Sequence, residues 1–158
     1  MSFSLPPQRP ITRRVALAIS IPFLVFLAVL TLSPRPVEES APGLLDAVLR
    51  TLQDGWGWSW LTFDSLEVIA NIAVFIPVGC LAFVLLPRRV WPLAFAVGPL
   101  LSSAIELAQS ARLPERTASL ADVLANSTGA TLGAALALIV TALAVPEHPM
   151  PSPTLDAP

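Results

Sequence analysis

Four apolar runs, at approximately 15–33, 66–86, 90–109 and 120–145, constrain this chain more than any other feature. A helix rises about 1.5 Å per residue, so about 20 apolar residues span the roughly 30 Å hydrocarbon layer of a bilayer. Each run meets that length. Hydrocarbon offers no water to backbone amides and carbonyls, so each run must satisfy its own hydrogen bonds as a helix. The sequence therefore predicts an all-α fold, a polytopic membrane helix bundle with four transmembrane helices. Composition agrees: 54% of residues are hydrophobic, only 13% are charged, and the mean hydropathy is +0.73. Those values lie outside the range of an ordinary soluble domain.

Arginine placement predicts the topology. Arg9, Arg13 and Arg14 precede the first run, and Arg88 and Arg89 separate the second from the third. The positive-inside rule puts both groups in the cytoplasm, and the even number of spans between them permits it. The first run could be a secretory signal, but no small-residue cleavage site precedes Ser33, so it reads as a retained helix. Residues 1–14 are then a cytoplasmic segment, 15–33 the first span and 34–63 an external loop. A three-helix region follows over 64–145, and 146–158 is a proline-rich tail expected to be disordered on the cytoplasmic side, like the N-terminus. Trp56, Trp58 and Trp60 fall at the outer interface and Trp91 at the inner one, where indole rings prefer to lie. Within the external loop, Leu44, Leu45, Val48, Leu49 and Leu52 form one apolar helical stripe opposite Asp46 and Arg50. A short amphipathic helix on the outer leaflet, or against the bundle, fits that spacing.

This topology gathers the polar residues of the last three spans at one leaflet. Asp64, Glu67 and Asn71 share a face at the start of the second helix, and Ser102, Glu106 and Gln109 at the end of the third. Asp122 and Asn126 stand one turn apart at the start of the fourth, and the loop before it carries Arg112, Glu115 and Arg116. Simpler roles compete with a functional one. Asp64-Ser-Leu-Glu67 and Ser119-Leu-Ala-Asp122 both have capping-box spacing. Asn71, Pro77 and Gly79 suit a kink or a packing contact, and Gly129-x-x-x-Gly133 suits close helix approach. Glu106 is harder to dismiss, because it lies near the C-terminal end of its own helix, where the dipole disfavours a carboxylate by roughly 0.3–1 kcal/mol. Burial near lipid adds a desolvation cost of a few kcal/mol. A cation, Arg116 or Arg112, would stabilise the charge; alternatively a neutral Glu106 would hydrogen-bond Asn126 or Asn71 as helix glue.

The same residues exclude other chemistry. A net charge of −2 gives no nucleic-acid footprint, and the single cysteine, Cys80, rules out an intrachain disulfide. With one histidine, His148, in the tail, no cofactor or metal is expected.

The runs N-I-A-V-F-I-P-V-G from Asn71 to Gly79 and I-E-L-A-Q from Ile105 to Gln109 lead to a third element, made of Arg116, Asp122, Asn126, Gly129 and Gly133. Together, in this order, they resemble the signature of the VanZ-like membrane proteins. The resemblance covers roughly 64–143, about half of the chain, and the T-L-S-P that ends the first run is similar in style. Ser119 and Ala121 depart from the pattern, since members commonly carry acids there. The resemblance implies an integral membrane protein of the bacterial envelope; the name-giving member is associated with lowered susceptibility to teicoplanin-type glycopeptides.

Three functions follow as expectations. The first is a non-enzymatic protein with an outer-leaflet pocket for the head group of a lipid-linked wall precursor or a glycopeptide. Its ligand-binding residues would be Asn71, Glu106, Gln109, Arg116, Asp122 and Asn126, its partners membrane lipid and a second copy of the chain. A small proton-coupled transporter using Glu106 is the alternative, although the polar residues avoid the midplane and no internal repeat is visible. Third is an intramembrane enzyme with Glu106 and Asp122 as acid and base, for which Ser102 and Ser103 lack a His or Lys partner.

Overall fold

The computed structural model describes residues 5–32, 42–112 and 119–144. Arg116, Glu115, Arg35, His148 and the tail at 146–158 lie outside the described residues. The described chain is helical throughout its long elements: α1 (Pro10–Leu32), α2 (Pro42–Arg50), α3 (Phe63–Leu85), α4 (Ala94–Arg112) and α5 (Leu120–Leu143). Four of these, α1, α3, α5 and the stretch Arg88–Ala111 that includes α4, are long and apolar enough to cross a membrane. The fourfold helical expectation holds.

Local chemistry sets the boundaries. Pro10 and Pro42 head α1 and α2, where a missing N–H interrupts no helical bond. α2 is amphipathic as its leucine spacing predicts and continues into a π-helical turn at Thr51–Gly55. At the start of α3 the structure corrects the sequence reading: the cap is Thr62, paired reciprocally with Ser65, and not the expected Asp64–Glu67 box. Asp64 and Glu67 are exposed. α3 ends because Leu86 precedes Pro87, which forces it out of the helical region to φ −70°, ψ 141°. A 3-10 turn at Arg88–Leu93 then leads into α4, so the third span is less regular than its continuous apolar run suggests.

The core is an α3–α5 seam built from small residues. Cβ atoms added at Gly129 and Gly133 would strike the carbonyl oxygens of Ile72 and Ile76, and one at Gly79 would strike that of Ala130. Contacts that step 72 to 76 on α3 and 129 to 133 on α5 make the two helices parallel. α4 runs against them, with Gly98 facing Ala130 and Ser102 facing Asn126. In lipid, helix association depends on such close backbone approach, because hydrocarbon tails give no hydrophobic drive between helices. The Cys80 thiol donates to the Gly133 carbonyl at 3.2 Å across the same seam. α1 closes the bundle through Leu27, which packs with Phe75, Val78 and Ala130.

Candidate functional site

Parallel α3 and α5 with antiparallel α4 bring the start of α3, the end of α4 and the start of α5 to one end of the bundle. Gln109 Nε2 donates to the Thr31 carbonyl at 2.6 Å, so the end of α1 lies there too. Among the described residues, the polar residues singled out from these three helices therefore share one end, where Asn71 bonds Asp122, Ser102 bonds Asn126, and Glu106 and Gln109 each meet a backbone group.

The first turn of α5 is the organising element. Ser119 caps it, its Oγ accepting from the Asp122 N–H at 3.2 Å. In an ordinary capping box the acid at the third helical position would accept from the cap residue's own N–H. Here Asp122 is engaged elsewhere: its Oδ1 accepts from Asn71 Nδ2 on α3 at 3.0 Å. Glu106 Oε2, from α4, takes the vacant role and accepts from the Ser119 N–H at 2.8 Å. The placement answers the objection from its own helix dipole: Glu106 is at the C-terminal end of α4 but meets the positive N-terminal end of α5. Asn126 and Asn71, the alternative partners, bond elsewhere, and a backbone amide meets Glu106 instead; Arg116, a candidate cation, lies outside the described residues.

One turn deeper, Asn126 Nδ2 donates to Ser102 Oγ at 2.9 Å, and both residues are buried. Asn126 Oδ1 is buried with no donor among the described residues. Leaving a buried polar atom unpaired costs about 1–3 kcal/mol. Asn71, Glu106, Asp122 and Asn126 are accordingly assembled around α5, whereas Gln109 is turned to α1. Ser102 belongs to the cluster as well; the four-residue steps Gly98, Ser102, Glu106 are the signal for the α4 face that meets α5.

α4 is inside out by the standards of a soluble helix. Leu100 and Leu107 are 70% and 71% exposed, while Ser102 and Glu106 are 0% and 8% exposed. Polar side chains turned inward and leucines outward suit hydrocarbon as the surrounding solvent.

Four apolar helices joined at a buried polar cluster define a polytopic helical membrane protein. Residues 15–141 match the VanZ/LLP1 family, and the chain belongs to it. That match takes in α1 and α2 as well as the three helices in which the resemblance is visible by motif. No curated protein and no solved structure matches the chain.

Proposed function

We propose that this VanZ-like protein is a non-enzymatic component of the bacterial envelope that binds the polar head group of a lipid-linked wall precursor or of a teicoplanin-type glycopeptide. The buried Asn126 Oδ1, which has no donor among the described residues, supports this reading most directly. A free buried acceptor is a standing cost, and a head-group hydroxyl or amide would offset it. Glu106, Asp122 and Asn71, one turn nearer the end of the bundle, would line the approach to it. Arg116, in the connection between α4 and α5, would supply positive charge to an anionic head group. The cluster would open to the outer leaflet, with both termini cytoplasmic, if the arginine-rich end faces inward.

The test is expression in a susceptible Gram-positive host, with teicoplanin susceptibility and uptake of a cationic dye measured together. Protection by the wild type, lost in Glu106→Gln and Arg116→Ala with dye flux unchanged, is the expected result. A pH-dependent flux abolished by Glu106→Gln would replace binding with proton-coupled transport, and protection surviving both substitutions would remove this site.

A further inference from the structure

The opposite end of the bundle carries charge that the proposed function does not use. Arg9, Arg13, Arg14, Arg88 and Arg89 all lie there, and residues 5–32, 68–105 and 127–144 contain no Asp or Glu. These arginines have no acidic counterpart at their own rim among the described residues. Nor are they merely scattered. The segment before α1 is strapped across the end of α3: Gln8 Nε2 donates to the carbonyls of Val84 and Leu86, both at 2.8 Å. Arg88 Nε donates to the Pro6 carbonyl at 3.2 Å, and its guanidinium lies 4.9 Å from the Phe83 ring centroid. Arg88 Nη1 has no acceptor among the described residues. The strap brings Arg9 to the α3–α4 connection, and Arg13 follows one helical turn later on the same face of α1. Arg9, Arg13, Arg14 and Arg89 remain exposed.

From this juxtaposition we infer that the strapped arginine rim is a binding site for the phosphate of anionic phospholipid head groups in its own leaflet. Guanidinium forks match phosphate oxygens with paired, charge-assisted hydrogen bonds, and among the described residues the charged groups of this rim are all arginines. A basic cluster of this size beside transmembrane helices gains about 1 kcal/mol per residue from an anionic membrane surface. The occupant is set by place as well as charge. The apolar flanks of α1, including Ile11, Val15 and Ile19, are exposed directly below the rim, where acyl chains would lie. Gln8 is a positioning residue: it carries no charge and acts by holding Arg9 against Arg88 and Arg89.

Native mass spectrometry of the full chain in detergent, titrated with phosphatidylglycerol and with phosphatidylcholine, tests the inference. The wild type is expected to retain phosphatidylglycerol preferentially. Arg9→Gln and Arg89→Gln should each weaken retention by about fivefold, the ratio equivalent to ~1 kcal/mol. Gln8→Ala should weaken it too, although the charge is unchanged, which simple charge counting does not predict. Helical circular dichroism of each variant establishes that it is folded, and the exposed Arg89→Gln carries the test if the strap variant is not. Equal retention of phosphatidylcholine, or indifference to the arginine substitutions, overturns the site. Displacement of the lipid by millimolar inorganic phosphate overturns the lipid assignment, and wild-type retention by folded Gln8→Ala overturns the role of the strap.

Discussion

At the scale of single residues, Glu106 joins two helices by a bond that neither helix could make alone. Removing its carboxylate in Glu106→Ala leaves the Ser119 N–H without an acceptor at the start of α5. A lost cap of this kind costs about 1–2 kcal/mol, to be read as a lower unfolding midpoint in detergent. Glu106→Gln keeps an acceptor oxygen and should recover part of the loss, so a stability defect in Ala that Gln repairs assigns the role to hydrogen bonding, and one that Gln fails to repair assigns it to charge. The Asn71–Asp122 contact is testable in the same way. A double-mutant cycle with Asn71→Ala and Asp122→Ala should give a coupling of about 0.6 kcal/mol and no more than about 1.7; additivity would mean that the 3.0 Å bond contributes nothing measurable. Asn126→Ala differs in kind. It gives up the bond to Ser102 but also removes the unpaired Oδ1, and the two changes oppose each other. Its unfolding free energy should stay within about 1 kcal/mol of wild type, whereas protection against the glycopeptide should be lost. Stability and function would then separate at one residue, as expected of a group retained for binding.

At the scale of elements, the α3–α5 seam depends on glycines whose missing Cβ lets backbones touch. Gly133→Ala places a methyl group on the Ile76 carbonyl, backbone that can yield only if the helices part. Overpacking of that sort costs about 1–3 kcal/mol. Gly43, in α2, meets nothing within 4 Å, so Gly43→Ala should be neutral or slightly stabilising in the same unfolding assay. Equal effects at the two positions would refute the seam. These elements were legible in the sequence to different depths. Apolar run length suffices to identify α1, α3, α4 and α5, because hydrocarbon permits few alternatives to a helix. Helical spacing also selects the correct faces: Ser102 with Glu106, Asp122 with Asn126, Gly129 with Gly133. It cannot say which neighbour each face meets. The Asn71–Asp122 and Glu106–Ser119 pairs therefore emerge only once helix order and tilt are known, as does the turn of Gln109 towards Thr31. The Asp64–Glu67 box failed for another reason. Thr62 and Ser65 satisfy the same spacing two residues earlier, and sequence offers no basis for choosing between overlapping caps.

At the scale of the whole molecule, the bundle is electrically lopsided, with Glu106 and Asp122 at one end and Arg9, Arg13, Arg14, Arg88 and Arg89 at the other. The strap contacts from Gln8 and Arg88 tie the two arginine groups together, so they must lie on the same side of any membrane the four helices cross. Translocating all five would oppose the positive-inside bias, and the arginine end should therefore be cytoplasmic. Impermeant maleimide labelling of intact cells decides the matter, in a Cys80→Ala background that forfeits only a weak thiol bond. Asp54→Cys, exposed in the turn after α2, should label from outside, and Arg89→Cys only after permeabilisation. The reverse pattern would move the Glu106 cluster to the inner leaflet. A glycopeptide arriving from outside could then not reach Asn126 without crossing the bilayer, while a precursor assembled on the cytoplasmic face still could. The reverse labelling result would thus exclude the glycopeptide before any binding measurement is made, and the expected one keeps both ligands within reach of the cluster.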